Sequence, residues 1–568
     1  MKQVLVTCDG APVPTSLRSQ QWDVHETLRH RGPKANLNLH IESPSHALLT
    51  AVEDRAADLV RIAAYIYAAD QMVRRGGEAD LYGDSWERYF TMCIPVNDPG
   101  FWSDKAVSAA LSRVLHFVSA DRWSFTFSQS TPQDRQLPFN MDPSTALGSP
   151  DSVYLFSGGT DSLCAVVEAA TKEGRTPLLV GHSPAFHIAS RQRALAQALN
   201  KRYRHRCQFP YVSVAIHRTG SDPREYTQRT RFFLYATLGA IIADRLRLER
   251  VALADNGVVS LNLPINDQLL GTTASRSAHP KSIRLFNEFA GLVLPAKPRL
   301  TNPLWSRTRA EALQILTEGA AEALLEETNS CSHPRYLTAM QPHCGVCSQC
   351  IDRRFATLAA GLEERDPGER YDIDIFREGL PEGDPRTMVV SYVRFARDIA
   401  EMPPEALFTR FPQLYECVAP NDPAQQETAE ALTSLLRRHG ATVLRVVEEQ
   451  ISRWRRELAR QQLPATSLIG LLASPPGEPT PSEGFLPGPD YREVWLRREK
   501  FILTTNQARV VELLHQSYQR GTPALSQGYV LAELDIRSQR LSQVFRRSSA
   551  WGKLVVPADG RGMYRLDL

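Results

Sequence analysis

Two periods of apolar and polar positions alternate along the first 148 residues. LVRIAAYIYAADQMV (59–73) repeats apolar residues at helical spacing, whereas TMCIPV (91–96) and WSFTFS (123–128) have the β-branched and aromatic character of strands. This mixture predicts an α+β N-terminal domain over 1–148, its Trp and Phe residues forming a core, with no catalytic constellation of its own. Residues 149–365 alternate regularly. SVYLFS (152–157), TPLLVGH (176–182), QFPYVSVAIH (208–217) and RVALADNG (250–257) are strand patterns. Between them lie the helix patterns DSLCAVVEAATKEG (161–174), SRQRALAQALNKRY (190–203) and RTRFFLYATLGAIIADRL (229–246). Strand–helix alternation predicts an α/β fold with a doubly wound parallel sheet. Ligands of such sheets bind at the carboxyl ends of the strands, the edge where the Gly158-Gly159 turn, His182 and Asn256 fall.

From 366 to 473 the pattern is helical, most clearly over 428–458. SPPGEPTPSEGFLPGPD (474–490) is rich in Pro and Gly and reads as a linker. Residues 491–568 predict a winged helix: three short helices (506–521, 526–535, 537–549), then two strands around an Asp-Gly turn (552–568).

Size and composition fit this division. A chain of 568 residues calls for several cores, and 42% hydrophobic with 23% charged residues is a globular profile. Net charge is +3, a whole-chain balance that says nothing about nucleic acid or membrane; any basic surface must be local. The last segment carries thirteen basic against seven acidic side chains, a net +6. Arg537, Arg540, Arg546 and Arg547 on its third helix and Arg561 on the wing would suit DNA phosphates, although such modules also dock proteins. The most apolar stretch, Phe232 to Ala243, is too short to span a bilayer, and no signal-peptide pattern opens the chain, so the expected location is cytoplasmic, without membrane contact. Nine cysteines without a secretion signal argue against a disulfide framework.

Chemistry concentrates in two places. In Ser157-Gly158-Gly159-Thr160-Asp161-Ser162 the glycines let the backbone turn close to an anion. The next helix presents free N–H groups and the positive end of its dipole. Ser157, Thr160 and Ser162 add hydroxyls. Asp161 would repel phosphate alone, which suggests a bridging Mg²⁺ or an N-cap role. The second place is Cys331-x12-Cys344-x2-Cys347-x2-Cys350. Four thiolates complete a tetrahedral structural Zn²⁺ and leave no open position for catalysis; an Fe–S cluster is the alternative. His333 and His343 flank the cysteines, but four thiolates suffice without them. Arg229, Arg276 and His279 are candidates for holding a carboxylate or phosphate, against the plainer reading of ordinary loop charges. Asn256 either contacts ligand or makes a turn, and His182 either contacts nucleotide or ends its strand.

SGGTDS matches the SGG-x-DS signature of PP-loop ATP pyrophosphatases, which this segment resembles. With the cysteine cluster downstream, residues 150–365 look like the 7-cyano-7-deazaguanine synthase (QueC) family. Arg229 falls on that family's helix arginine, Thr230 replaces its asparagine, and IDRRFA (351–356) resembles its basic stretch after the last cysteine. The family's Tyr-Pro-Asp-Cys-Arg-type loop is not recognisable; ADNGVVSLNLPI (254–265) and SRSAHPKS (275–282) stand in its place. The resemblance implies a HUP-like PP-loop domain with a zinc knuckle, and ATP, Mg²⁺ and Zn²⁺ as cofactors. It implies nucleotide binding by Ser157, Gly158, Gly159, Thr160, Asp161, Ser162 and His182. Ser157, Asp161, Ser162 and Arg229 would carry catalysis, and Arg229, Asn256, Arg276 and His279 the substrate. The reaction implied is adenylation of 7-carboxy-7-deazaguanine and transfer to an amine. The added outer segments resemble the enlarged QueC-like proteins of bacterial anti-phage systems (Qat and type IV CBASS). That implies a partner protein of the same system, the acceptor being either ammonia, giving preQ0 or the amide, or a protein amine, giving a conjugate. The alternative is a non-catalytic nucleotide-binding scaffold acting on DNA or a partner through the winged helix.

Overall fold

The computed structural model describes residues 2–43, 54–75, 87–131, 139–141, 149–182, 186–220, 223–265, 276–332, 338, 340–418, 425–473, 485–488, 491–496, 499–519 and 523–568, apart from Arg537, Gln539, Arg547 and 559–561. The basic positions Arg537, Arg547 and Arg561, with His333, therefore lie outside the described residues, as do 266–275 of the polar loop and most of 474–490.

Strands β1 (Lys2–Cys8), β2 (Val24–Leu28), β4 (Arg88–Val96) and β5 (Arg122–Gln129) form a sheet of order β2-β1-β4-β5, with every pair parallel. The N-terminal segment is thus α/β rather than α+β. Helix Asp54–Met72 leads into β4 and helix Lys105–Ser119 connects β4 to β5, and such crossovers make parallel neighbours.

A division at residue 148 also cuts through one sheet. Strands β3 (Leu37–Ser43) and β6 (Phe139–Met141) join β7 (Ser152–Leu155), β8 (Pro177–His182), β9 (Tyr211–Arg218), β10 (Arg250–Leu253) and β11 (Arg299–Thr301) in the order β11-β10-β7-β8-β9-β3-β6. β3 runs antiparallel to β9, and the strands from β9 to β11 are mutually parallel. Helix Asp54–Met72 explains the merger. It is buried along nearly its whole length, between β2 and helix Arg231–Arg245. One apolar core, from Val4 to Leu300, runs through both sheets.

Buried charges pin this junction. Asp70 accepts from Arg88 Nη2 at 2.5 Å and from the Thr230 N–H and hydroxyl at 3.0 Å each. Asp121 receives Arg88 and Arg75. At the carboxyl end of β1, Asp9 accepts the His30 N–H at 3.0 Å, the His30 imidazole and the Tyr65 hydroxyl. Burial alone would raise the Asp9 carboxyl, but His30 and Tyr65 outweigh it and hold it below the usual range. A depressed folded-state value stabilises above the unfolded value and is lost as pH falls through the folded one. Asp9→Asn should therefore cost about 3 kcal/mol at neutral pH and weaken the acid dependence of stability, as denaturant titrations at pH 7 and below pH 4 will report.

The region after 366 is helical as expected, with helices Asp384–Glu401 and Gln425–Arg453 packed together. Phe485–Pro487, inside the expected linker, is instead strand β12, antiparallel to β13 (Glu493–Leu496), which pairs with β14 (Glu499–Ile502). The final segment has its own core, from Val494 to Leu566. Helices Thr505–Gln519 and Gln527–Glu533 are followed, among the described residues, by one turn, Leu541–Val544, where the sequence predicts a helix over 537–549. Ser538 bonds the Arg540 carbonyl at 3.1 Å, a local side-chain contact that competes with helix. Arg540 and Arg546 are exposed. β15 (Ala524–Ser526), β17 (Met563–Leu566) and β16 (Val555–Pro557) close this unit as an antiparallel sheet. Among the described residues no helix is long and apolar enough to cross a membrane.

Candidate active site and metal centre

β7 carries the chain to the carboxyl edge of the seven-stranded sheet, and helix Thr160–Thr171 starts there with Gly159 as its N-cap. Gly158 adopts φ +80°, and a Cβ on it would meet Gln192 Cγ at 3.2 Å. Gln192 Nε2 holds the Ser157 carbonyl at 3.0 Å, and Ser162 Oγ holds the Gly159 carbonyl at 2.9 Å. The first-turn amides of the helix are left over by its geometry and face the turn, an arrangement suited to an anion.

Asp161 does not cap the helix. Its carboxylate turns inward and accepts the Asn256 N–H at 3.0 Å, the Asn256 amide at 2.9 Å and Arg309 Nε at 3.3 Å. With those partners it is a structural hub rather than a free metal ligand. Asn256 is both the Asp161 partner and the N-cap of the short helix Gly257–Leu261, accepting from the Val259 N–H. Arg309 continues the chain of contacts to Asp352 at 3.0 Å and to Gln349 Oε1 at 2.8 Å.

The four cysteine sulfurs all lie within 4.8 Å of one another, and Cys344 and Cys350 are 3.9 Å apart. Tetrahedral Zn–S bonds of about 2.3 Å require sulfurs about 3.8 Å apart, so the donor set fits Zn²⁺. Gly345, at φ +84°, permits the knuckle, because a Cβ there would lie 1.9 Å from the Ile373 carbonyl oxygen. Cys347 is the N-cap of helix Ser348–Ala359, whose dipole favours thiolates at its start. His343 is not among these ligands; it packs on Tyr371 at 5.0 Å. Burial and Arg353 push its imidazole down to about 3.

Knuckle and glycine turn are joined. The Asn329 N–H donates to the Gly158 carbonyl at 3.2 Å, and its side chain accepts the Cys331 N–H at 2.8 Å. Ser330 Oγ lies 3.4 Å from Thr160 Oγ1. From the other side, Gln349 and Asp352 on the helix after the cysteines hold Arg309, and Arg309 holds Asp161. The four-cysteine knuckle therefore braces the turn twice.

Ser157 to Ser162 and Asn256 come together as the sequence suggests; four other candidates lie elsewhere. Arg229 is 3% exposed and faces Arg75, Asp121, Asp70 and Glu225 at the junction of the two sheets. Burial, then Arg75, push its guanidinium down to about 10. His182 is fully buried, bonds the Ile216 carbonyl at 2.8 Å and meets Tyr67 edge-on. Burial and Arg231 push it down to about 3, so it is a neutral core residue without a face for nucleotide. Arg276 bonds the Phe117 carbonyl at 3.3 Å, covers the Phe117 ring and reaches Glu416 at 3.5 Å. His279 caps helix Pro280–Val293 through the Lys281 N–H and meets Cys417 Sγ at 3.4 Å. Burial and neighbouring cations push it down to about 3, so it brings no positive charge to an anion. These two residues fasten helix Pro280–Val293 to its neighbours.

Sequence reasoning missed Gln192, Arg309, Asn329, Ser330 and Asp352. One signal was available: Thr308-x-x-Glu311 is a capping box that starts a helix directly at Arg309.

No family model matches the chain. Over 222 residues it is 27% identical to 7-cyano-7-deazaguanine synthase of Paracoccus denitrificans (strain Pd 1222), a match that covers 34% of this chain and 91% of that protein.

Proposed function

We propose that this chain is an ATP-dependent enzyme that adenylates the carboxylate of a 7-deazaguanine acid and transfers the acyl group to an amine. The observation that carries the reading is the glycine turn at a helix N-terminus, braced by a four-cysteine centre. The likeness to 7-cyano-7-deazaguanine synthase supports the substrate class.

In this reading the amides from Gly159 to Ser162 bind the β and γ phosphates of ATP, and pyrophosphate is the leaving group as the acid attacks the α phosphate. The hydroxyls of Ser157 and Thr160 supply further donors, while Ser162 Oγ holds the turn through the Gly159 carbonyl. Asp161 holds the turn in shape through Asn256 and Arg309. Mg²⁺ accompanies the ATP phosphates. Zn²⁺ held by Cys331, Cys344, Cys347 and Cys350 would supply no chemistry; it would fix 329–331 and the helix after the cysteines, which fix the turn.

The acceptor is an amine, either ammonia, giving the amide or the nitrile preQ0, or a protein amine, giving a conjugate. The match leaves about two thirds of the chain unaccounted for. That surplus supports a partner protein as acceptor, in the setting of bacterial anti-phage defence, with the basic C-terminal unit as a docking or DNA-binding module. The test is ATP turnover with 7-carboxy-7-deazaguanine present. AMP and pyrophosphate are expected in equal amounts, dependent on the acid; release of ADP and phosphate instead counts against the reading.

A further inference from the structure

We propose that Asp255 is the general base of the amine-transfer step, accepting the proton that the attacking nitrogen loses. The proposal rests on the adenylation reading above and adds the residue that reading lacks.

The sheet order places Asp255 at the reacting edge. From β7 the chain crosses to β8 on one side, whereas β10 pairs with β7 on the other. The direction of winding reverses between β7 and β10, and the ligand crevice of such a sheet opens at that point. β7 leads into the glycine turn. β10 ends at Leu253, two residues before Asp255. The Asp255 backbone is fixed there, its carbonyl accepting the Asn302 amide at 2.8 Å and the Ser260 hydroxyl at 3.2 Å.

Its side chain differs from every charged neighbour. Asp161 is committed to Asn256 and Arg309, Arg309 to Asp161 and Asp352, and Asp352 to Arg309 and the Tyr392 hydroxyl. Glu168, on the same helix as Asp161, is committed to Arg307. Asp255 is partly exposed, and its carboxylate has no hydrogen bond or ion pair among the described residues. An uncommitted carboxylate beside the phosphate turn has both the access and the spare acceptor capacity that proton transfer needs.

Its surroundings also tune it. Burial and the negative charge of Asp161 push the Asp255 carboxyl up to about 7, against the pull of Arg309. A base poised near the working pH is the most effective kind.

The step balances without another reagent. The neutral amine nitrogen attacks the carbonyl carbon of the acyl adenylate. A C–N bond forms, the C–O bond to AMP breaks, and AMP leaves with the bonding pair. The nitrogen, positively charged after attack, passes one proton to an Asp255 Oδ.

Asp255→Asn in the full-length, zinc-loaded chain separates the two half-reactions. Exchange of labelled pyrophosphate into ATP, with 7-carboxy-7-deazaguanine and no amine, reads adenylation alone. Ammonium-dependent product formation reads transfer. For the variant we expect exchange within about 2-fold of the unsubstituted chain and transfer lowered about 100-fold or more. With rates expressed per free NH3, the acid limb of the transfer pH profile should disappear in the variant, and Asp255→Glu should recover part of the rate. Transfer within about 3-fold of the unsubstituted chain with the same pH profile overturns the proposal. Equal losses of exchange and transfer overturn it too, because Asp255 then supports binding or folding. No exchange in the unsubstituted chain overturns the adenylation reading first, and this proposal with it.

Discussion

Asp161→Ala is expected to abolish AMP release and to lower stability by about 3 kcal/mol. Both losses come from one carboxylate. Asp161 is 5% exposed and is bound to Arg309, which is 3% exposed. Removing it leaves a buried guanidinium with Asp352 as its remaining carboxylate, and breaking a buried pair from one side is costly. It also takes the acceptor from both the backbone N–H and the side-chain amide of Asn256. The start of helix Thr160–Thr171 and the end of β10 would then separate, and a phosphate cradle depends on positions held to a fraction of an ångström. Asp161→Asn tests the division of labour. It retains an acceptor for Asn256 but loses the charge facing Arg309, and should fall between the parent and the alanine variant in stability. Denaturant titration and AMP release measure the two effects separately. An alanine variant with parental turnover would remove Asp161 from the site.

The second large effect is expected on removing the metal. The purified protein should contain one Zn²⁺ per chain, and Cys347→Ser should cost at least about 5 kcal/mol, since structural zinc in small sites contributes about 10 kcal/mol or more. A loss of that size lowers the melting temperature by about 10 °C or more in a domain of this kind. Binding of ATP should fail along with it, because Asn329, Ser330 and the Gln349–Asp352 helix turn all start from the knuckle. Elemental analysis and calorimetric melting, before and after a chelator, check this. A metal-free protein indifferent to Cys347→Ser would instead make the four thiols a packing cluster.

How much of this was legible varies with the distance over which a contact is made. The glycine turn is a local object: a short apolar strand, two glycines and a helix start lie within twenty residues, and period and composition mark each. The thiolate set is nearly as local, and its spacing alone implies a tetrahedral ion. Arg309 is different. It meets Asp161 across 148 positions, and the capping box around it marks only a helix start, not what the arginine meets. Asp255 reads as the end of a strand until the order of strands shows that its neighbour carries the phosphate turn.

The mistaken expectations have the same origin. Arg229, Arg276 and His279 have suitable side chains on the suitable edge of the sheet, but the segments packed over them claim those side chains for buried pairs and caps. Whether a charge is free to meet a ligand depends on what covers it, and that cover comes here from helix Asp54–Met72, helix Lys105–Ser119 and residues 412–417. The N-terminal boundary went wrong similarly. β3 lies in the N-terminal segment, but its hydrogen bonds are made to β9.

Residue order by itself marked strands β7 to β10 of the central sheet, the glycine turn and the cysteine cluster. Each depends on side-chain period, glycine conformation or ligand spacing within a short stretch. Tertiary structure alone decided that two sheets share one core and that the cysteine knuckle braces the turn. It also decided that Asp161 is held while Asp255 is free. Those facts depend on which groups are buried against which, and burial is a property of the packed chain rather than of any segment within it.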